Sequence, residues 1–255
     1  MPLEIITIPC LSDNYAFLAH YPGSGETLCV DVPEAAPVSA MLAQKGWTLS
    51  HVLLTHHHAD HVQGLDALLA DHPATVIGAA ADAHRLPKLD VEVQEGDEIR
   101  IGMQTGRIFD VSGHTVGHIA AHFPDSDAVF TADSLMALGC GRLFEGSAEQ
   151  MWRSLCKLME LPPDTVVYSG HEYTAANAKF AQTVDPDNSA LISRSSEIDA
   201  ARKQGRPTVP STLATELATN PFLRAADPAI RAHLAMQDAS DAEVFAEIRA
   251  RKDRF

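Results

Sequence analysis

A chain of 255 residues has room for one large domain or two modest ones with an ample core. Its 45% hydrophobic and 21% charged content is that of an ordinary globular enzyme. With 34 acidic against 19 basic residues the net charge is −15, which argues against a broad nucleic-acid surface, because phosphates need a basic footprint; a small basic pocket stays compatible.

Residues 4–9, 16–20 and 27–31 read as short strands, with the turn Pro22-Gly23-Ser24-Gly25 between the last two. Residues 36–45 carry helical periodicity and stop at Gly46, an expected left-handed cap. The apolar run of residues 51–54 predicts a buried strand, followed by a helix over residues 62–70 and a strand over 75–79. Residues 98–132 are again mostly strand. Ser147-Ala148-Glu149-Gln150 reads as a capping box opening a helix through Glu160, which Pro162-Pro163 ends. Residues 165–169 form the last clear strand; beyond His171 helices take over, at about residues 172–183, 189–204, 212–219, 227–235 and 241–252. A domain boundary is therefore expected near residue 170, with no repeat, low-complexity tract or long linker.

The organising stretch is Thr55-His56-His57-His58-Ala59-Asp60-His61, at the end of the buried run. Imidazole and carboxylate are the ligand types that hold zinc, iron or manganese. A turn from strand into helix lets His56 and His58 face one point and Asp60 and His61 a neighbouring one, which suggests two metal sites; a merely polar loop is the weaker reading. Three more such groups follow apolar runs: His114 in Ser112-Gly113-His114-Thr115-Val116-Gly117-His118, Asp133 in Phe130-Thr131-Ala132-Asp133-Ser134, and His171 in Ser169-Gly170-His171-Glu172-Tyr173. Strand ends converging on one edge would bring them together.

The His-x-His-x-Asp-His pattern, with His114, Asp133 and His171 following in order, resembles the signature of the metallo-β-lactamase superfamily. The resemblance implies an α+β fold: an αββα sandwich, two sheets face to face with helices outside, over residues 1–170, and a small all-α domain over 171–255. It implies two divalent ions per chain, zinc first, with iron or manganese also suited. His56, His58 and His114 would hold one, Asp60, His61 and His171 the other, and Asp133 both. Asp60 and Asp133 would serve catalysis with a hydroxide bridging the ions, formed from water at neutral pH, which attacks a carbonyl. Neither a Gly-x-Ser-x-Gly elbow nor a phosphate-binding glycine loop competes. His57 and His118 are candidates for orienting a ligand by hydrogen bond, or else for local structure.

Three further segments resemble glyoxalase II, the hydroxyacylglutathione hydrolases: Cys140-Gly141-Arg142-Leu143-Phe144-Glu145-Gly146; Gly170-His171-Glu172-Tyr173-Thr174 with Asn177 and Lys179-Phe180-Ala181; and the terminal Arg249-Ala250-Arg251-Lys252-Asp253-Arg254-Phe255. This resemblance runs end to end. It implies cleavage of S-lactoylglutathione to D-lactate and glutathione, the second step of methylglyoxal detoxification, with the helical domain binding the glutathione part. Arg142, Phe144, Tyr173, Asn177, Arg249 and Lys252 would contact the substrate. Arg249 and Lys252 lie three apart on one predicted helix and can meet a glycine carboxylate together; without the resemblance, a basic last turn complementing the helix dipole is the simpler reading. The chain departs from the family at Ala132 and Ser134, where Gly and Thr are common, at Met136-Ala137-Leu138, at Val32-Pro33-Glu34, and at Phe144, where some members carry a Tyr hydroxyl.

The rival readings are a glutathione persulfide dioxygenase of the same fold, which uses one iron and lacks the helical domain, a nuclease of this fold, disfavoured by the charge, and a non-catalytic metal-binding module, against which the full ligand set and matching substrate domain weigh. Cys10, Cys29, Cys140 and Cys156 show neither metal spacing nor disulfide density, so reduced thiols are expected. The N-terminus carries no secretory pattern and no run approaches a membrane span. The expectation is a cytoplasmic monomer with a small-molecule substrate and neither nucleic-acid nor membrane partners.

Overall fold

A computed structural model describes all residues from Met1 to Phe255, and they divide into two compact units. Unit 1 comprises Met1–Val111 and Val116–Ala132; unit 2 comprises Ser112–Thr115 and Asp133–Phe255.

In unit 1, β1 (Glu4–Cys10), β2 (Asn14–His20), β3 (Thr27–Val30), β4 (His51–Leu54), β5 (Thr75–Ala79) and β6 (Val91–Val93) form one sheet in sequence order. The first three pair antiparallel through short turns, and β3 to β6 pair parallel. Parallel neighbours need crossovers, here α1 (Ala35–Lys45) and the pair α2 (Ala59–Val62) and α3 (Leu65–Asp71). Gly46 caps α1 with φ 65° as expected. The helix expected over residues 62–70 is instead two helices, and Asp60 and His61 lie on the first. At the break sits Gly64, where a Cβ would come within 2.9 Å of the Val32 carbonyl oxygen.

Every residue of β2 and β3 is buried, because the sheet is covered on both faces. On one side Val38, Leu42, Leu65 and Leu68 of the helices pack with Leu18, Cys29, Val52 and Leu54. On the other, the Phe17 ring lies 5.8 Å from Phe130 of the second sheet. That sheet's strands in this unit are β7 (Glu98–Ile101), β8 (Gln104–Asp110), β9 (Ile119–Phe123) and β10 (Ala128–Ala132), antiparallel in the order β10-β9-β8-β7. Burying one such aromatic or branched side chain stabilises by about 1.5–3 kcal/mol, so both faces of the sheet contribute to the unit's stability.

Unit 2 begins with a tight hairpin, β11 (Leu135–Met136) and β12 (Gly139–Cys140), whose turn holds Leu138 at φ 56°. There follow α4 (Ala148–Met159), β13 (Val166–Ser169), α5 (Thr174–Val184), α6 (Ser189–Lys203), β14 (Ser211–Thr212), α7 (Leu213–Thr219), α8 (Pro228–Leu234) and α9 (Asp241–Arg254). The expected capping box at Ser147 is only half formed: Ser147 accepts the Gln150 N–H. The complete box is at Ser240 and Glu243, opening α9, because a carboxylate there reaches back to the cap N–H. Phe222 centres an aromatic cluster, its ring 6.0 Å from Phe180 and 5.9 Å from Phe245. The helical succession after residue 171 follows the expected pattern, interrupted only by the two-residue β14 pairing with β13. The whole is α+β.

Candidate metal centre

The donors of unit 1 follow from how β4 ends. Thr55 to His58 belong to neither strand nor helix, His58 is extended at φ −60° and ψ 141°, and α2 then begins, so the chain turns just where the histidines lie. The His56 Nε2 and His58 Nδ1 atoms approach to 3.2 Å. Hydrogen bonds on the far side of the rings set the protonation. Thr55 Oγ1 donates to Asp31 Oδ2 at 2.8 Å, so its lone pair is what accepts His56 Nδ1–H at 3.0 Å. The His61 Nδ1–H likewise donates to Asp31 Oδ2 at 2.7 Å. Each neutral ring therefore turns an Nε2 lone pair inward, His56 toward His58, and His61 toward Asp60 Oδ2 at 3.8 Å. Asn14 Nδ2 fixes Asp60, donating to its carbonyl and its Oδ2 at 3.0 Å each. The His118 ring stacks on His56 at 4.6 Å, and His57 Nδ1 is 3.0 Å from Asp82 Oδ2.

Unit 2 repeats the arrangement. The His114 Nδ1–H donates to the Arg142 carbonyl at 2.8 Å, which leaves the Nε2 lone pair facing Asp133 Oδ2 at 3.4 Å. His171 Nε2 is 3.3 Å from that same oxygen, so one carboxylate oxygen stands between two imidazoles. The close approach depends on Gly141, where a Cβ would sit 2.1 Å from the Asp133 carbonyl oxygen and 2.8 Å from His114 Nδ1. Asp133 follows Ala132, held at φ 40°, a conformation that favours glycine.

In each unit imidazole nitrogens and, at Asp60 or Asp133, a carboxylate oxygen converge within 3.2 to 3.8 Å of one another. These imidazole and carboxylate donors are those of a divalent metal site. The structure thus fits the ion type implied by the sequence.

The expected substrate-contacting residues all lie in unit 2. Phe144 is 62% and Tyr173 40% exposed, their rings against His114 and His171 at 5.3 and 4.6 Å. Arg142 is exposed, whereas Asn177 and Arg249 are buried. Asn177 Nδ2 donates to the Ala137 carbonyl at 3.0 Å, and Arg249 Nη1 to the Cys140 carbonyl at 2.9 Å. Arg249 also pairs with Asp253 at 2.8 Å and covers the Phe222 ring. Lys252 shares α9 with it, its ammonium over the rings of Phe180 and Phe255. Partial burial, then the Arg249 and Arg142 charges, pull the Lys252 amine down to about 8. These three cations therefore act on one another, a concentrated positive spot in an acidic chain.

All four cysteines are free, and burial pushes the Cys10 and Cys140 thiols up to about 11. Sequence reasoning missed Asp31, Thr55 and Asp82. Asp31 is buried at φ 57° and accepts from Thr55 and His61; its place at the end of a strand was the available signal. Asp82 stands 25 residues from its partner His57 with no motif to announce it.

Comparison with known proteins bears on both parts of the chain. The family described as Metallo-beta-lactamase superfamily matches residues 30–171, and the one described as Hydroxyacylglutathione hydrolase C-terminus matches residues 172–255. Over its whole length the chain is 68% identical to the hydroxyacylglutathione hydrolase of Roseobacter denitrificans and 64% identical to that of Cereibacter sphaeroides, with 100% of both partners covered in each case. Among solved structures, that of ETHE1 from Myxococcus xanthus is similar with a TM-score of 0.67 and 27% identity, over 98% of this chain and 90% of that one.

Proposed function

Because the chain belongs to the hydroxyacylglutathione hydrolase family of the metallo-beta-lactamase superfamily, we propose that it cleaves the thioester of S-lactoylglutathione to D-lactate and glutathione. The observation that carries this reading is the end-to-end identity with hydroxyacylglutathione hydrolases, helical part included. A dioxygenase of the same fold and a metal-storing module both leave the match over residues 172–255 without a purpose.

In this reading His56, His58 and His114 would hold one divalent ion, Asp60, His61 and His171 would hold a second, and Asp133 would serve both. The ions are zinc, with iron or manganese suited by the same donors. When bound, such ions acidify water and polarise a carbonyl. The protein's part is preorganisation. Asp31, Thr55 and the Arg142 carbonyl lock the tautomers of His61, His56 and His114, and Asn14 locks Asp60. Asp60 and Asp133 supply the negative charge that offsets the ions. The net reaction adds one water across the thioester: its oxygen joins the acyl carbon, the C–S bond breaks, and a proton ends on sulfur. A thiolate is a good leaving group, so no protein nucleophile is needed. Arg142, Arg249 and Lys252 attract the glutathione carboxylates, Tyr173 and Phe144 offer ring faces to the peptide, and Asn177 steadies the 135–142 segment beneath it.

The helical part over residues 171–255 serves substrate binding together with Arg142 and Phe144, and residues 1–170 with His171 serve catalysis. No helix is long and apolar enough to cross a membrane. Four free thiols suit a reducing cytoplasm, where the protein works as a monomer. The test is hydrolysis of S-lactoylglutathione by purified protein, with metal content measured on the same sample. Turnover that tracks metal occupancy is expected; a metal-loaded protein inert toward the thioester refutes the reading.

A further inference from the structure

The carboxylate of Glu216, on α7, is fully buried and serves no role in the chemistry above. Its Oε1 accepts from Arg194 Nη2 and Ser211 Oγ, each at 2.5 Å; its Oε2 accepts the Leu138 N–H at 2.8 Å and Asn220 Nδ2 at 3.2 Å. A buried charge so fully satisfied is costly to assemble, and replacing it with apolar side chains is often neutral for stability. Stability alone is therefore a weak reason for it.

What Glu216 holds is more informative. Leu138, whose N–H it binds, sits at positive φ at the tip of the β11–β12 hairpin. Asn220, fixed by Glu216, donates to the carbonyls of Met136 at 3.1 Å and Gly139 at 3.0 Å. Asn177 and Arg249 take the carbonyls of Ala137 and Cys140. Side chains on the helices or capping them thus claim four of the five carbonyls from Met136 to Cys140, and the Leu138 N–H goes to the carboxylate. The segment then passes Gly141, tight against Asp133 and His114, and delivers the Arg142 carbonyl to His114 Nδ1 at 2.8 Å.

We infer that Glu216, charge-balanced by Arg194, is a positioning residue. It sets the 136–142 segment so that the Arg142 carbonyl holds His114 with Nε2 toward Asp133. The helical part of unit 2 thereby tunes a metal ligand as well as serving the substrate. The inference rests on the proposed metal-ligand role of His114. Losing the outer partner of a metal-bound histidine costs about 10–100-fold in metal affinity or activity.

The experiment measures zinc affinity of metal-free protein by competition with a chromophoric chelator, beside the thermal unfolding midpoint of each variant. The variants are Glu216→Gln, the apolar replacement Arg194→Met with Glu216→Leu, and Asn220→Ala, which removes two carbonyl contacts without stranding a charge. Ile230→Ala in α8, buried in the same unit and outside this network, is the stability control. The Glu216 variants are expected to bind the more weakly held zinc about 10–100-fold less tightly, while Ile230→Ala keeps its affinity at a matched loss of melting temperature. If the Glu216 variants do not fold, Asn220→Ala carries the same expectation. Zinc affinity within twofold of the parent protein, or an equal loss in Ile230→Ala, overturns the inference. A parent protein that binds zinc but cleaves no thioester removes the hydrolase reading alone and leaves the affinity comparison intact.

Discussion

Replacing Asp31 by Asn tests whether hydrogen bonds behind the histidines hold the metal site. The carboxylate accepts three: Thr55 N–H at 2.9 Å on Oδ1, and Thr55 Oγ1–H at 2.8 Å and His61 Nδ1–H at 2.7 Å on Oδ2. An amide of the same shape offers one oxygen and one NH2 group. If the oxygen stays on the Thr55 N–H, the NH2 meets the His61 Nδ1–H donor to donor; flipped, it meets the Thr55 N–H. The ring's escape is to move its proton to Nε2, the atom facing Asp60, which removes that lone pair as a ligand. A hydrogen bond to a charged group contributes about 1.5–3 kcal/mol, so zinc affinity should fall roughly ten- to a hundredfold. The assay is chelator competition on metal-free protein, with far-UV circular dichroism to establish that the fold persists. Thr55→Ala, which withdraws the acceptor behind His56, should weaken zinc by a smaller factor, since a neutral hydroxyl is lost. An Asp31→Asn protein holding zinc as tightly as the parent, with full turnover, would refute the tautomer argument.

Three further outcomes are expected. Because the Lys252 amine is lowered to about 8 and a carboxylate binds its protonated form, KM for S-lactoylglutathione should rise as pH climbs from 7 to 9, with little change in kcat. One charged contact at stake sets the limit at roughly tenfold; Lys252→Arg should flatten the profile, and a flat profile in the parent protein would contradict the assignment. Asp133→Ala should lose both ions or hold them loosely, since it removes the oxygen between His114 and His171 and half the carboxylate charge; metal analysis after gel filtration reads this out, and two tightly held ions would refute it. A thiol-blocking reagent should modify the half-exposed Cys156 first and leave turnover intact, since Cys10, Cys29 and Cys140 are buried with raised pKa values; inhibition that persists in Cys140→Ser would show a thiolate in the chemistry.

The donor chemistry was legible in the sequence, since His56, His58, Asp60 and His61 are close along the chain and local spacing sets what neighbours can present. The sequence by itself also determined the alternation of strands and helices, because burial imposes periodicity on each element separately, and it placed Gly46 at its cap. Local pattern failed where a long-range contact decided. The helix expected over residues 62–70 breaks at Gly64 because the Val32 carbonyl approaches there, from a segment 32 residues earlier. Asp31, Asp82 and Glu216 bear no mark of their partners Thr55, His57 and Leu138, since a buried carboxylate is recognised by the donors that surround it and those come from other elements. Arg249 shows the same limit. Its position on α9 was legible, but only packing against other elements buries its guanidinium against Cys140 and Phe222, while Lys252, three residues on, keeps an amine lowered first by its own burial and then by the Arg249 and Arg142 charges.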